Sequence, residues 1–212
     1  MSSISDIWRN INIGFYTYKD RERIPSTPGS YAWYCPLDIK SANYDEFMQT
    51  YRTIFEYDCK EEISPIERNT KIKLPWKILE HTMHLTLKNL PKDRTLSNST
   101  IEDLWNEINK NEVSVKNFRI ALLKSSILLP PLYVGKTNNL AKRYKEHCES
   151  NIDSEIGSFK KRFMNHIEKN NINISFEDLI FFATTLEDLP EHSEEFLEEI
   201  LKLFSQPIYS VK

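Results

Sequence analysis

The spacing of apolar positions changes several times along the chain, and each change marks a predicted element. Ser5 followed by Ile7, Trp8 and Ile11 suggests a short opening helix, and the KDRER and IPSTPG stretches after it read as loop. Pro25, Pro28 and Gly29 stop any helix there. The aromatic run SYAWYC, residues 30–35, is closed off by Gly29 and Pro36 and predicts a short strand. Tyr44, Phe47, Met48, Tyr51, Ile54 and Phe55 recur at helical spacing, as do Ile101, Leu104, Trp105 and Ile108, the latter set with a cap near Ser99. Between those two amphipathic helices, KIKLPWKILEHTMHLTL fits neither period and is interrupted by Pro75.

From Asn117 the pattern sharpens. NFRIALLKS reads as a strand, Pro130 and Pro131 punctuate, and LYVG (132–135) reads as a second short strand. Leu140, Tyr144 and Cys148 form one helical stripe, and Ile156, Phe159, Phe163, Met164 and Ile167 form the next. FEDLIFFATT (176–185) has the character of a buried strand, and a last helix starts near Pro190 and runs to about Phe204. The order is strand, insertion, strand, two helices, strand, helix. It predicts an α/β (α+β) fold with a small mixed or antiparallel sheet flanked by helices, a single domain over 1–212 with residues 36–116 inserted in it.

At 212 residues, with 40% hydrophobic and 28% charged residues, the chain suffices for one well-filled core or a smaller core plus an insertion. No apolar run reaches the length of a membrane span, and MSSISDIWRN lacks the layout of a signal peptide; a cytoplasmic protein with no membrane partner is expected. Cys35, Cys59 and Cys148 are odd in number and fit no zinc spacing, so reduced thiols are expected.

The formal charge of −3 argues mildly against a nucleic-acid partner, yet it averages over two opposed regions. Lys136, Lys142, Arg143, Lys145, Lys160, Lys161 and Arg162 concentrate between 136 and 162, a region suited to phosphates. Glu187, Asp188, Glu191, Glu194, Glu195, Glu198 and Glu199 concentrate between 187 and 199, a region suited to a cation. On the last helix the apolar face takes Phe196, Leu197, Ile200, Leu201, Leu203 and Phe204; Glu195 points outward, and Glu194, Glu198 and Glu199 all flank the buried face. Periodicity does not choose among those three.

Only four glycines occur, Gly14, Gly29, Gly135 and Gly157, and two adjoin tyrosine-bearing strands. Gly29-Ser30-Tyr31 and Tyr133-Val134-Gly135-Lys136 resemble the two signature strands of GIY-YIG nucleases, with Ser30 and Val134 in place of the usual isoleucines. The following run, YVGKTNNLAKR (133–143), is spaced as in the excision-repair branch of that family. His147, four residues after Arg143 and on the same helical face, resembles the restriction-enzyme branch. LEEILKLFSQPIYS looks like the family's closing segment, and its register against Pro207 selects Glu198 and Leu201, with Ser210 where asparagine is common.

The resemblance implies a metal-dependent endonuclease that hydrolyses DNA phosphodiester bonds, with double-stranded DNA as partner. It implies Tyr31, Tyr133, Lys136, Arg143, His147 and Glu198 as the catalytic set, Glu198 as the ligand of one Mg²⁺ or Mn²⁺, and Arg143 facing the scissile phosphate. Lys142, Lys145, Lys160, Lys161 and Arg162 are expected to meet the nucleic acid. Of the two tyrosines, Tyr31 is preferred by a slight margin as acceptor of the water's proton, with Lys136, the metal-bound site or His147 either lowering its pKa or relaying the proton. The 36–116 insertion is expected to recognise substrate. The alternative is a nucleic-acid-binding protein that keeps the scaffold without turnover; a protein-interaction module built on the acidic helix is the third reading.

Overall fold

The computed structural model describes residues 12–40, 43–55, 98–149, 158–185 and 193–209. The chain divides into two compact units, one comprising Met1–Lys60 with Asn117–Lys212, the other Glu61–Lys116. The larger unit carries a four-stranded antiparallel sheet of β1 (Ile13–Tyr16), β2 (Gly29–Tyr34), β3 (Tyr133–Thr137) and β4 (Ile180–Thr185) in the order β1-β4-β2-β3. The described α-helices are α1 (Tyr44–Phe55), α2 (Asn98–Asn109), α3 (Glu112–Ser125), α4 (Leu140–Glu149), α5 (Phe159–Lys169) and α6 (Ser193–Ser205). The class is therefore α+β, and no helix among the described residues is long and apolar enough to cross a membrane.

β2 lies between β4 and β3, so its residues from Gly29 to Trp33 have a neighbour on both sides. Its alternation sends Tyr31 and Trp33 to one face, beside Phe181 and Ala183 of β4 and Tyr133 of β3. Leu140, Tyr144 and His147 of α4 and Phe159, Phe163 and Ile167 of α5 close over that face as one buried layer. Trp33 is its hub, with ring centroids 5.3 Å from Tyr144, 4.9 Å from Phe176 and 5.0 Å from Phe181. Burying so large an aromatic set supplies most of what holds the unit together. Ser158 caps α5 by accepting from the Lys161 amide at 3.2 Å, which fixes where Phe159 enters the layer.

Several elements differ from the sequence pattern. Residues 117–125 belong to a helix: Phe118, Ile120 and Leu122 alternate with other residues and so imitate a strand, but Arg119, Ala121, Leu122, Leu123 and Lys124 are strong helix formers. None of α3 is buried, so no single apolar stripe advertises it; an Arg119–Asp38 ion pair ties it to the loop after β2. KDRER forms a 3-10 helix, Tyr18–Arg23, begun by a Thr17–Asp20 capping box with the Thr17 hydroxyl 2.7 Å from the Asp20 carboxylate. β1 is a four-residue edge strand whose Ile13 and Phe15 are exposed, too short to stand out as a period. In FEDLIFFATT the strand starts only at Ile180, after a 3-10 turn at Phe176–Asp178. Ser99 lies inside the first turn of α2 rather than before it.

Within the expected 36–116 insertion, the loop 36–40 and α1 belong to the larger unit. Tyr51 and Ile54 are buried there, and the Tyr51 hydroxyl donates to Pro36 O at 3.0 Å and accepts from the Asp38 amide at 2.8 Å. The opening helix at 5–11 and the segment 71–87 lie outside the described residues.

Candidate active site

Tyr31 is the geometric centre of the motif residues. Across the β2–β3 ladder it faces Gly135, and a Cβ there would lie 2.6 Å from the Tyr31 hydroxyl oxygen. At Gly29 a Cβ would lie 2.5 Å from Thr184 O and 2.6 Å from Leu140 Cδ1. Both motif glycines are thus demanded by close approach, one making room for the tyrosine ring and the other seating α4 on the sheet.

A tight β3–α4 turn brings the helix back over Tyr31. Asn139 Oδ1 accepts from the Lys142 amide at 2.8 Å at the start of α4, and the Leu140 and Ala141 amides donate to Thr27 O and Pro25 O, both at 3.1 Å. The loop before β2 is thereby fastened to α4, and Arg143 and His147 face Tyr31 on consecutive turns. Arg143 Nε donates to the Tyr31 hydroxyl at 3.1 Å, its Nη1 donates to Glu146 Oε2 at 3.0 Å, and His147 Nε2 lies 3.0 Å from the same hydroxyl. Tyr133 stacks beside Tyr31 with centroids 6.2 Å apart and rests on Phe159 at 5.0 Å. Tyr31 and His147 are buried; Tyr133 is half-buried, and the Arg143 side chain keeps 38% of its exposure. A guanidinium half open to solvent and anchored from behind is suited to receive an anion.

Burial and the neighbouring Tyr133 push the Tyr31 hydroxyl well above the ordinary tyrosine range, with Arg143 opposing. A buried hydroxyl with Arg143 and His147 on two sides has little room to meet water directly, which favours a relay over direct proton transfer. Burial, with Arg143 and Arg162 adding to it, pushes His147 down to about 3. Its folded pKa lies below the unfolded one, so the stabilisation from holding a neutral imidazole is complete above about pH 6.5 and is lost as pH falls toward 3. Urea titrations of the parent and His147→Gln are expected to show the parent losing up to a few kcal/mol more than the variant between pH 7 and pH 4. Parallel pH profiles for the two proteins would refute a buried neutral His147.

Glu198 enters from α6, which packs along β3, and its charge acts on Tyr31. The carboxylate is paired with Lys202 Nζ at 2.7 Å, and both side chains are about four-fifths covered, at 22% and 20% exposure. As a single hard oxygen ligand it fits a cation such as Mg²⁺, which completes its shell with water and phosphate. Among the described residues no three His, Cys, Asp or Glu side chains converge to hold a metal.

The other expected residues lie elsewhere. Lys136 pairs with Ser30 across the ladder and, being out of step with Tyr133 and Gly135, projects from the opposite face of the sheet. Lys142, Lys145 and Lys160 line a cleft of about 810 Å³ with Arg21, Glu149 and Glu177, reached from a different side of α4 than Arg143 and His147. Lys161 is half-buried on the first turn of α5. Arg162 donates twice to Tyr209 O, at 3.1 and 2.7 Å, and serves as a tie for the C-terminal segment.

Three neighbours went unforeseen. Lys202 stands four residues after Glu198, the usual spacing of a helical ion pair, and so was legible. His166 Nδ1 and the Tyr209 hydroxyl lie 2.6 Å apart and are buried, while the Tyr209 amide donates to Leu132 O at 2.8 Å, bracing the start of β3 behind Tyr133. That contact joins residues 43 positions apart and leaves no local signature. No protein-family model, curated protein or solved structure significantly matches this chain.

Proposed function

We propose that the chain is a GIY-YIG-type nuclease, a metal-dependent endonuclease that hydrolyses DNA phosphodiester bonds. The observation that carries the reading is the Tyr31 hydroxyl, held between Arg143 Nε at 3.1 Å and His147 Nε2 at 3.0 Å with Tyr133 stacked beside it. The two tyrosine strands, the arginine helix and the carboxylate helix form one neighbourhood although residues 31 and 198 are far apart in sequence.

In this reading Arg143 takes a non-bridging phosphate oxygen and offsets the negative charge that grows as water adds to phosphorus. Tyr31 aims the guanidinium by accepting from Nε, and His147 holds Tyr31 from the other side. The half-buried Tyr133 is the tyrosine that meets the attacking water. Glu198 holds a divalent cation whose chemistry is to stabilise the departing oxygen. The smaller unit, Glu61–Lys116, lies within the proposed insertion and contributes to choosing the substrate.

Incubating the full chain with supercoiled and linear duplex DNA tests this, with Mg²⁺, with Mn²⁺ and with chelator. Metal-dependent strand scission that disappears in Arg143→Ala is expected; intact DNA under every metal condition, with binding retained, gives the second reading. That reading, a nucleic-acid-binding protein without turnover, is favoured by one observation, the engagement of Glu198 by Lys202.

A further inference from the structure

The pairing of Glu198 with Lys202 has a structural setting that an ordinary surface ion pair lacks. Both side chains are largely covered, which limits screening by solvent and salt. Lys202 Nζ also lies 3.3 Å from Glu199 Oε1, whose side chain is 75% exposed. The ammonium thus has two adjacent seats, one on the inner carboxylate and one on the outer. Its flexible four-carbon stem and three donors allow exchange between them without moving the helix.

We propose that Lys202 is a resident competitor for the cation position on Glu198. In the metal-free protein the ammonium neutralises Glu198; when a divalent ion arrives with its phosphate, Lys202 shifts to Glu199 and releases the inner carboxylate. This rests on Glu198 being the metal carboxylate. A hard cation needs that oxygen unencumbered, and a positive charge about 3 Å from the ligand atom opposes a second cation by several-fold in affinity even at a high effective dielectric. The consequence is regulatory: the free protein binds metal weakly, and a DNA phosphate that adds its own oxygen ligand and negative charge tips the exchange. Cleavage is thereby coupled to substrate arrival.

The test is calorimetric titration of Mn²⁺ into the DNA-free full chain, with circular dichroism melts to establish folding. Lys202→Met keeps the length of the stem and removes the charge; it is expected to bind Mn²⁺ about tenfold more tightly than the parent. Lys202→Arg, which retains a charge, is expected to stay near parental affinity. Lys169→Met makes the same change of net charge at an exposed site on α5 and is expected to shift affinity by less than about twofold. In the Glu198→Gln, Lys202→Met double variant the gain is expected to vanish.

Equal Mn²⁺ affinity in the parent and Lys202→Met, with Glu198→Gln weaker than both, would overturn the competitor role and leave Glu198 as the ligand. Parental affinity in Glu198→Gln would place the cation elsewhere and overturn both the proposal and the reading of the site beneath it.

Discussion

Arg143→Ala is expected to lower the cleavage rate at saturating DNA by roughly 10²–10³-fold, the usual consequence of deleting a donor aimed at transition-state charge. Affinity for the same duplex should fall far less, because the guanidinium is one cation among several and its value grows as charge builds on the phosphoryl oxygens. The side chain does two things at once. Its Nε is committed to the Tyr31 hydroxyl and its Nη1 to Glu146, so the planar group is held at two corners while part of it stays open to solvent. Arg143→Lys therefore restores charge without geometry: an ammonium cannot bond Tyr31, Glu146 and a phosphate oxygen in one plane. It should cleave little better than Arg143→Ala and bind DNA nearly as the parent does. Single-turnover rates and filter-binding affinities on both variants separate the effects. Equal losses of rate and affinity in Arg143→Ala would reduce Arg143 to a simple phosphate contact.

The same residue illustrates what was legible beforehand. Arg143 and His147 sit four apart on a helix, and that spacing alone places them on one face. The glycines beside the two tyrosines were legible as backbone necessities, and the ladder explains them, since Tyr31 faces Gly135 and fills the space a side chain would take. Glu198 was selected by its register to Pro207, and the fold brings its helix, α6, against β3. Local pattern did not foretell environment. The depth of Tyr31 depends on Phe181 and Tyr133, residues far along the chain that stack on it from both neighbouring strands. Burial then raises its pKa where proximity to cations suggested the opposite. Lys136 was not placeable from the motif alone: one residue along a strand changes the face, and it leaves β3 on the side opposite Tyr133 and Gly135.

The elements divide in the same way. α4 and α5 were readable because each lays one apolar stripe on the sheet, whereas α3 buries nothing and left only the false alternation of Phe118, Ile120 and Leu122. The antiparallel order β1-β4-β2-β3 was beyond reach, because it depends on which strands meet over intervals of more than a hundred residues. β1, four residues long and half exposed, exists as a strand only because β4 pairs with it.

The two tyrosines are expected to separate when each is replaced by phenylalanine. Tyr31→Phe keeps a ring stacked with Phe181 at 5.3 Å but removes the hydroxyl that joins Arg143 to His147, leaving a buried imidazole nitrogen and a guanidinium N–H without that partner. The cost should be about 1–3 kcal/mol in stability, visible as a lower melting temperature, together with loss of most cleavage at every pH because Arg143 is no longer aimed. Tyr133→Phe is different. Its ring is held by Phe159 and by Tyr31, so the packing survives and the melt should shift by no more than about 0.5 kcal/mol. If its hydroxyl meets the attacking water, the rate should still fall by roughly 10²-fold or more, a loss of chemistry without a loss of structure. Thermal melts and single-turnover cleavage between pH 6 and pH 9 resolve the pattern. A Tyr133→Phe variant that cuts at the parental rate would remove that residue from the chemistry, and parental rates in both variants would make the tyrosines packing residues, with the nuclease reading of this site falling with them.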